Sequence, residues 1–188
     1  MKQRYPGLMI FLHWLMAILI IATFALGTVM VDMRISPTKL KYFSWHKWLG
    51  VTLLALVAWR LITRLLHQKM QNIPALPDSM PGWEKLAAHG GHLALYVLMF
   101  ALPITGYLYS SASGYPVVYL GLVELPTLIG PNPELKETLK TAHDVLSKLL
   151  FLVVALHFAA AIKHHFISKD GILKRMLPGS DGTRPTQH

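Results

Sequence analysis

The sequence predicts an all-α fold, a transmembrane four-helix bundle, as a single integral-membrane domain over residues 1–188. Three observations predict it. Of the 188 residues, 53% are hydrophobic and only 14% are charged, which is too apolar for a soluble domain of this length. Four apolar runs are each long enough to cross the hydrocarbon core of a bilayer. The basic residues gather mostly at the ends of those runs.

The first span covers about 8–31 and carries one histidine, His13, and no charged residue. The basic start MKQRYP leads into it. The apolar run is longer than the core of a signal peptide and lacks a small-residue cleavage site, so a retained first helix is expected. A polar hairpin, MVDMRISPTKLK, follows. The second span, about 44–66, opens with SWHKWLG and has His46 near its start. Arg60 and Arg64 lie at its far end, where long side chains snorkel to the surface. The next stretch, QKMQNIPALPDSMPGWEK, is punctuated by proline and reads as a polar connection.

The third span, about 84–109, holds His89 and His92 one turn apart. Gly90 and Gly91 offer close backbone approach there, and Pro103 is expected to kink the helix. The segment 110–137 is rich in Gly and Pro and mildly apolar. It reads as a loop over the bundle or at the membrane interface, not as a further span. The fourth span, about 139–166, includes AHDVLSKLLFLVVALHFAAAIKHHF. The tail SKDGILKRMLPGSDGTRPTQH is basic and is expected to end disordered. Four spans put both termini on one side, and the bias of Lys and Arg places that side in the cytoplasm.

The chain has no cysteine, which excludes disulfides, thiol catalysis and cysteine-ligated clusters. The net charge of +9 would suit nucleic acid or anionic lipid. The placement of the basic residues beside apolar spans favours the lipid bilayer.

His143 and His157 are fourteen residues apart on the fourth span. Fourteen helical steps return almost to the same face, about 21 Å further along the axis. The two rings therefore point the same way at two depths. Helix direction then sorts the others. His46 shares the exterior level with His143, and His13 shares the cytoplasmic level with His157. Two histidines from facing helices at one depth are the usual ligation of a low-spin haem b, so two haem b groups are expected. A zinc site would want a tetrahedral and usually mixed ligand set. A histidine-lined metal carrier is the non-redox alternative.

Arg60 lies fourteen residues after His46, where it could pair with a haem propionate or simply snorkel. Gly50, one turn past His46, could make room for a macrocycle or serve ordinary helix packing. His89 or His92 could replace His13 as a ligand, or hydrogen-bond a propionate or a quinone. His164 and His165 are quinone or proton-relay candidates, or solvated end-of-helix residues. His67 and His188 read as surface residues. Trp14, Trp45, Trp48 and Trp83 read as interface markers.

RYPxxMxxLHW at the start, WHKWLG opening the second span, HGGHLALYVLMFALPITGYL in the third, and AHDVL…ALHFAAAIKHHF followed by KDGILKRMLPG together resemble the bacterial dihaem cytochrome b561 family. The resemblance covers essentially the whole chain. It implies a four-helix inner-membrane bundle with two haem b groups and ubiquinone as electron acceptor. The family's ligand pattern carries over onto His13, His46, His143 and His157. Characterised members oxidise superoxide at the periplasmic face and pass electrons to quinone. A related arrangement serves as the cytochrome subunit of membrane dehydrogenases, so a periplasmic dehydrogenase is the alternative donor. Superoxide is an anion, and Arg34, Lys39, Lys41, Lys47 and Lys140 are candidates to steer it. Lys39, Lys41 and Lys47 are the first choice.

Overall fold

A computed structural model describes residues 4–70 and 73–179. Residues 1–3, 71–72 and 180–188 lie outside the described residues. The expected disordered chain end and His188 fall there, as does half of the basic start MKQRYP.

Four helices are long and apolar enough to cross a membrane. They are α1 (Gly7–Asp32), α2 (Pro37–Lys69), α3 (Gly82–Ala112) and α4 (Pro133–Lys163), and α4 runs on as a π-helical turn over His164–Ser168. Each is longer than hydropathy alone predicts, because hydropathy marks the lipid core while the caps mark the helix ends. α2 begins seven residues before the expected start. Ser36 accepts a hydrogen bond from Lys39 N, and Pro37 occupies the first turn, where a missing N–H costs nothing. The expected polar hairpin thus shrinks to a short link. α4 likewise begins at Pro133, with Asn132 accepting from Leu135 N. Pro103 lies inside α3, which continues to Ala112.

Close backbone packing joins α1 to α2, α2 to α3, and α3 to α4. On the remaining side α4 meets α1 and α2 largely through rings. Phe24 stacks on Phe151 with centroids 4.6 Å apart, and histidines make the other contacts. Gly90 and Gly91 depart from expectation. A Cβ at either would have nothing within 4 Å, so neither permits a close backbone approach.

Both ends of the bundle are tied by side chains. Opposite the termini, the 113–132 segment forms a small antiparallel hairpin, β1 (Val118–Tyr119) with β2 (Val123–Glu124). Trp48 Nε1 donates to Val118 O at 2.7 Å, Tyr119 and Thr52 hydroxyls pair at 2.9 Å, and Tyr107 donates to Pro126 O. The loop is therefore pinned onto α2 and α3.

On the terminal side, residues 169–179 form an ordered strap. It turns back through Lys169 and Gly171 at positive φ and includes a 3-10 turn at Leu173–Met176. Trp14 Nε1 donates to Met176 O at 2.7 Å, Arg4 Nη2 to Leu177 O at 3.0 Å, Tyr5 N to Arg175 O, and Arg175 Nη1 to Ala75 O. Glu84 pairs with Lys163 and faces His164. His67 is only part-exposed, and its Nδ1 is buried without a hydrogen-bond partner among the described residues. It is not the free surface residue expected.

The caps give a first prediction. Asn132→Ala should cost about 1 kcal/mol and lower the melting midpoint in detergent by about 2–4 °C. Asn132→Ser should melt close to the original protein. Equal melting of all three would show that the cap contributes nothing to α4.

Candidate haem-binding centres

The four helices each carry a pair of residues fourteen positions apart: His13 and Gly27 on α1, His46 and Arg60 on α2, His92 and Gly106 on α3, His143 and His157 on α4. Each pair repeats one helix face about 21 Å apart in depth. Gly27, His46, Gly106 and His143 share the level nearer the hairpin. His13, Arg60, His92 and His157 share the level nearer the termini. Gly27 and Gly106 escaped the sequence reading, although their spacing from His13 and His92 was there to be seen.

At the hairpin level His46 and His143 face one another with ring centroids 6.1 Å apart and planes at 77°. His46 Nδ1 lies 3.2 Å from Thr23 O on α1. His143 Nδ1 lies 3.1 Å from Leu102 O on α3, with Thr105 Oγ1 at 3.4 Å. Carbonyl oxygens only accept, so in both rings Nδ1 carries the proton and Nε2 keeps its lone pair. Glycine leaves room opposite each ring, most tightly at Gly106. A Cβ at Gly27 would come 3.1 Å from His46 Cε1, and one at Gly106 would come 2.8 Å from His143 Cε1.

At the terminal level His157 stands between two imidazoles. Its centroid is 6.1 Å from that of His13 and 5.4 Å from that of His92. His92 Nδ1 donates to Ala88 O within its own helix at 2.7 Å. Arg60 is buried, with 8% exposure, so it does not snorkel. Its guanidinium donates to Met9 O at 2.9 Å and to His13 Nδ1 at 3.3 Å. Guanidinium only donates, so His13 Nδ1 accepts and the neutral ring carries its proton on Nε2. The Tyr96 hydroxyl, one turn past His92, is buried and interacts with Arg60.

The other expected site residues are placed as follows. Lys39 Nζ caps the end of α1 through Met33 O at 2.6 Å and Val31 O at 3.3 Å. Lys47 Nζ turns inward to Ser110 Oγ at 3.0 Å and Pro116 O at 3.4 Å. Lys41 lies over the Trp45 ring, 5.1 Å from its centroid, and is exposed. His164 Nδ1 is bonded to Asp170 Oδ2 at 2.6 Å. His89 is exposed and bonded to Lys85 O. A Cβ at Gly50 would meet nothing within 4 Å.

This geometry suits axial haem ligation. Two imidazoles that held one metal ion between them through Nε2, each by a bond of about 2 Å, would have ring centres roughly 6–6.5 Å apart. Both 6.1 Å pairs match that span, and the 5.4 Å pair falls short of it. Nitrogen donors alone, with carbonyl oxygens behind two of them, are the ligand chemistry of a haem iron. Among the described residues no group of three or more His, Asp or Glu side chains is arranged to hold a bare metal ion.

Comparison with known proteins agrees in kind. The prokaryotic cytochrome b561 family model matches residues 4–179. The chain is 34% identical to cytochrome b561 homolog 2 of Escherichia coli strain K12, over 93% of this chain and 92% of that protein. It is 30% identical to the probable superoxide oxidase CybB of Yersinia pestis, over 97% and 100%. It is 29% identical to cytochrome b561 homolog 1 of Escherichia coli strain K12, over 94% and 98%. The chain belongs to the prokaryotic cytochrome b561 family, and is a multi-pass bacterial membrane protein that binds haem b and transfers electrons.

Proposed function

We propose that this protein, a single cytochrome b domain of the inner membrane with both termini in the cytoplasm, is a superoxide oxidase. It would hold two haem b groups, an exterior one between His46 and His143 and a cytoplasmic one between His13 and His157. Each bound haem supplies a one-electron redox change at its iron. In the overall balance, two superoxide ions each lose one electron and leave as dioxygen. One ubiquinone gains two electrons and two protons.

The observation that carries the haem assignment is the equal 6.1 Å spacing of the two histidine pairs at two depths. The likeness to the Yersinia pestis protein supports superoxide as the donor. The chain's residues have separable tasks in this reading. Thr23 O and Leu102 O orient the exterior rings, and Gly27 and Gly106 leave them room. Arg60 holds His13 against α1, so it acts as a positioning residue more than as a propionate partner. Lys41 is the exposed steering charge on the exterior face. Lys39 and Lys47 contribute field while also holding α1 and α3. At the quinone end we place His92, beside His157. His164, between Asp170 and Glu84, would relay protons.

His13 and His92 compete for the cytoplasmic ligand. Ring spacing favours His13, whereas the proton on His13 Nε2 in the neutral ring favours His92. We assign His13 because its spacing equals that of the exterior pair. Pyridine haemochrome analysis should find two haem b per chain. Ala at His46 or His143 should remove the exterior haem alone, and Ala at His13 or His157 the cytoplasmic haem alone. If His13→Ala keeps both haems while His92→Ala loses one, His92 is the ligand.

Gly106→Leu tests the fit from the other side. The new side chain would occupy the space of the His143 ring, so the exterior haem should be lost while the cytoplasmic one stays. Full occupancy of both would refute the placement of Gly106 against a ligand.

Superoxide as donor is tested by stopped-flow reduction of the purified protein. A steered anion reaction slows as salt shortens the reach of the field, from about 30 Å at 0.01 M to about 8 Å at 0.15 M ionic strength. The rate should therefore fall with salt, and Lys41→Glu should lower it with both haems retained. Negligible reduction by superoxide at any salt would point to a dehydrogenase as donor.

A further inference from the structure

Away from the histidines, an apolar groove of about 470 Å³ runs along α1 beneath the strap. Ile10, Phe11, Trp14, Ile18 and Pro178 line it, and so does Arg4, which precedes the first turn of α1. From Gly7 to Ile18 the helix advances about 16 Å. That is close to the hydrocarbon depth of one leaflet, half of about 30 Å. Phe11 and Ile18 are largely exposed, so the groove opens outward where lipid surrounds the bundle.

Its polar side chains are Arg4 and Trp14. Trp14 Nε1 is already bonded to Met176 O, so the indole offers only carbon to the groove. Arg4 has one described hydrogen bond, from Nη2 to Leu177 O. Its Nε is buried without a partner, and no carboxylate pairs with it among the described residues. A guanidinium held at the headgroup end of a leaflet-long apolar slot calls for an anion that carries an apolar chain.

We propose that this groove binds one anionic phospholipid from the leaflet on the side of the chain termini. Its phosphate sits on Arg4 and one acyl chain lies along α1. The planar guanidinium fork matches the two free oxygens of a phosphodiester. A neutral quinone would leave the charge of Arg4 uncompensated. A zwitterionic phospholipid would bring its own ammonium beside Arg4, where an anionic headgroup brings none. The bound lipid would brace the strap against α1 and so cover the end of the bundle below His13. This site is independent of which molecule donates electrons.

Native mass spectrometry of the purified haem-loaded protein tests the proposal. Phosphatidylglycerol, phosphatidylethanolamine and ubiquinone are added separately at equal concentration. One phosphatidylglycerol per chain should be retained in preference to the other two. Arg4→Gln should lower its occupancy at least about fivefold, the loss of roughly 1 kcal/mol of binding free energy. Gly7→Phe should do the same while leaving Arg4 in place, because a side chain there stands in open space at the groove. Phosphatidylglycerol should also raise the melting midpoint of the original protein and not that of either variant. The haem spectrum should stay unchanged in both. Equal retention of the two phospholipids, preferential retention of ubiquinone, or unchanged phosphatidylglycerol occupancy in the variants would overturn the proposal.

Discussion

The bundle depends on one constraint: α4 must present two imidazoles on one face, each to a ring from another helix, at two depths. Backbone packing runs in series from α1 to α4 and leaves α4 facing α1 and α2 mainly across side chains. The contacts described there are His46 with His143, His13 with His157, and Phe24 with Phe151 between the two levels. In a membrane the lipid tails are as apolar as the helix surfaces, so burial of apolar area cannot by itself choose which helix faces meet. Polar rings and the atoms that hold them make that choice here.

The two levels are built differently. At the hairpin level two main-chain carbonyls and two glycines surround the rings, so the rings are oriented by groups that cannot change charge. At the terminal level a buried arginine and a third imidazole take those places. Removing a glycine there would not be the analogous perturbation. The sensitive group is Arg60, which has no acidic partner among the described residues and whose described hydrogen bonds go to Met9 O and His13. The asymmetry suits a path whose two ends meet different reactants.

The ends of the bundle follow from the same need. Long helices that meet through a few rings require ties elsewhere to hold their rotation. Trp48, Tyr119 and Tyr107 tie the hairpin to α2 and α3 on one side. Trp14, Arg4 and Arg175 tie the strap on the other. Tryptophans that read as interface markers thus also spend their N–H groups on main-chain carbonyls of the covering segments.

The sequence by itself determined the class of fold, the number of spans and the relative depth of His13, His46, His92, His143 and His157. A helix converts residue number directly into distance along its axis and angle around it. The same arithmetic holds for Gly27 and Gly106, but glycine carries no chemistry that marks it out until a ring stands opposite. The caps at Ser36 and Asn132 were written in local sequence too, beyond the reach of hydropathy. Only the tertiary structure decided which neighbours share a level and in what order: that His157 lies between His13 and His92, that Arg60 turns inward to His13, and that the basic tail folds back as a strap. Those outcomes depend on how each helix is rotated about its axis and on main-chain atoms of other segments, such as Thr23 O, Leu102 O and Met176 O. Such atoms have no signature in the identity of the residues that supply them.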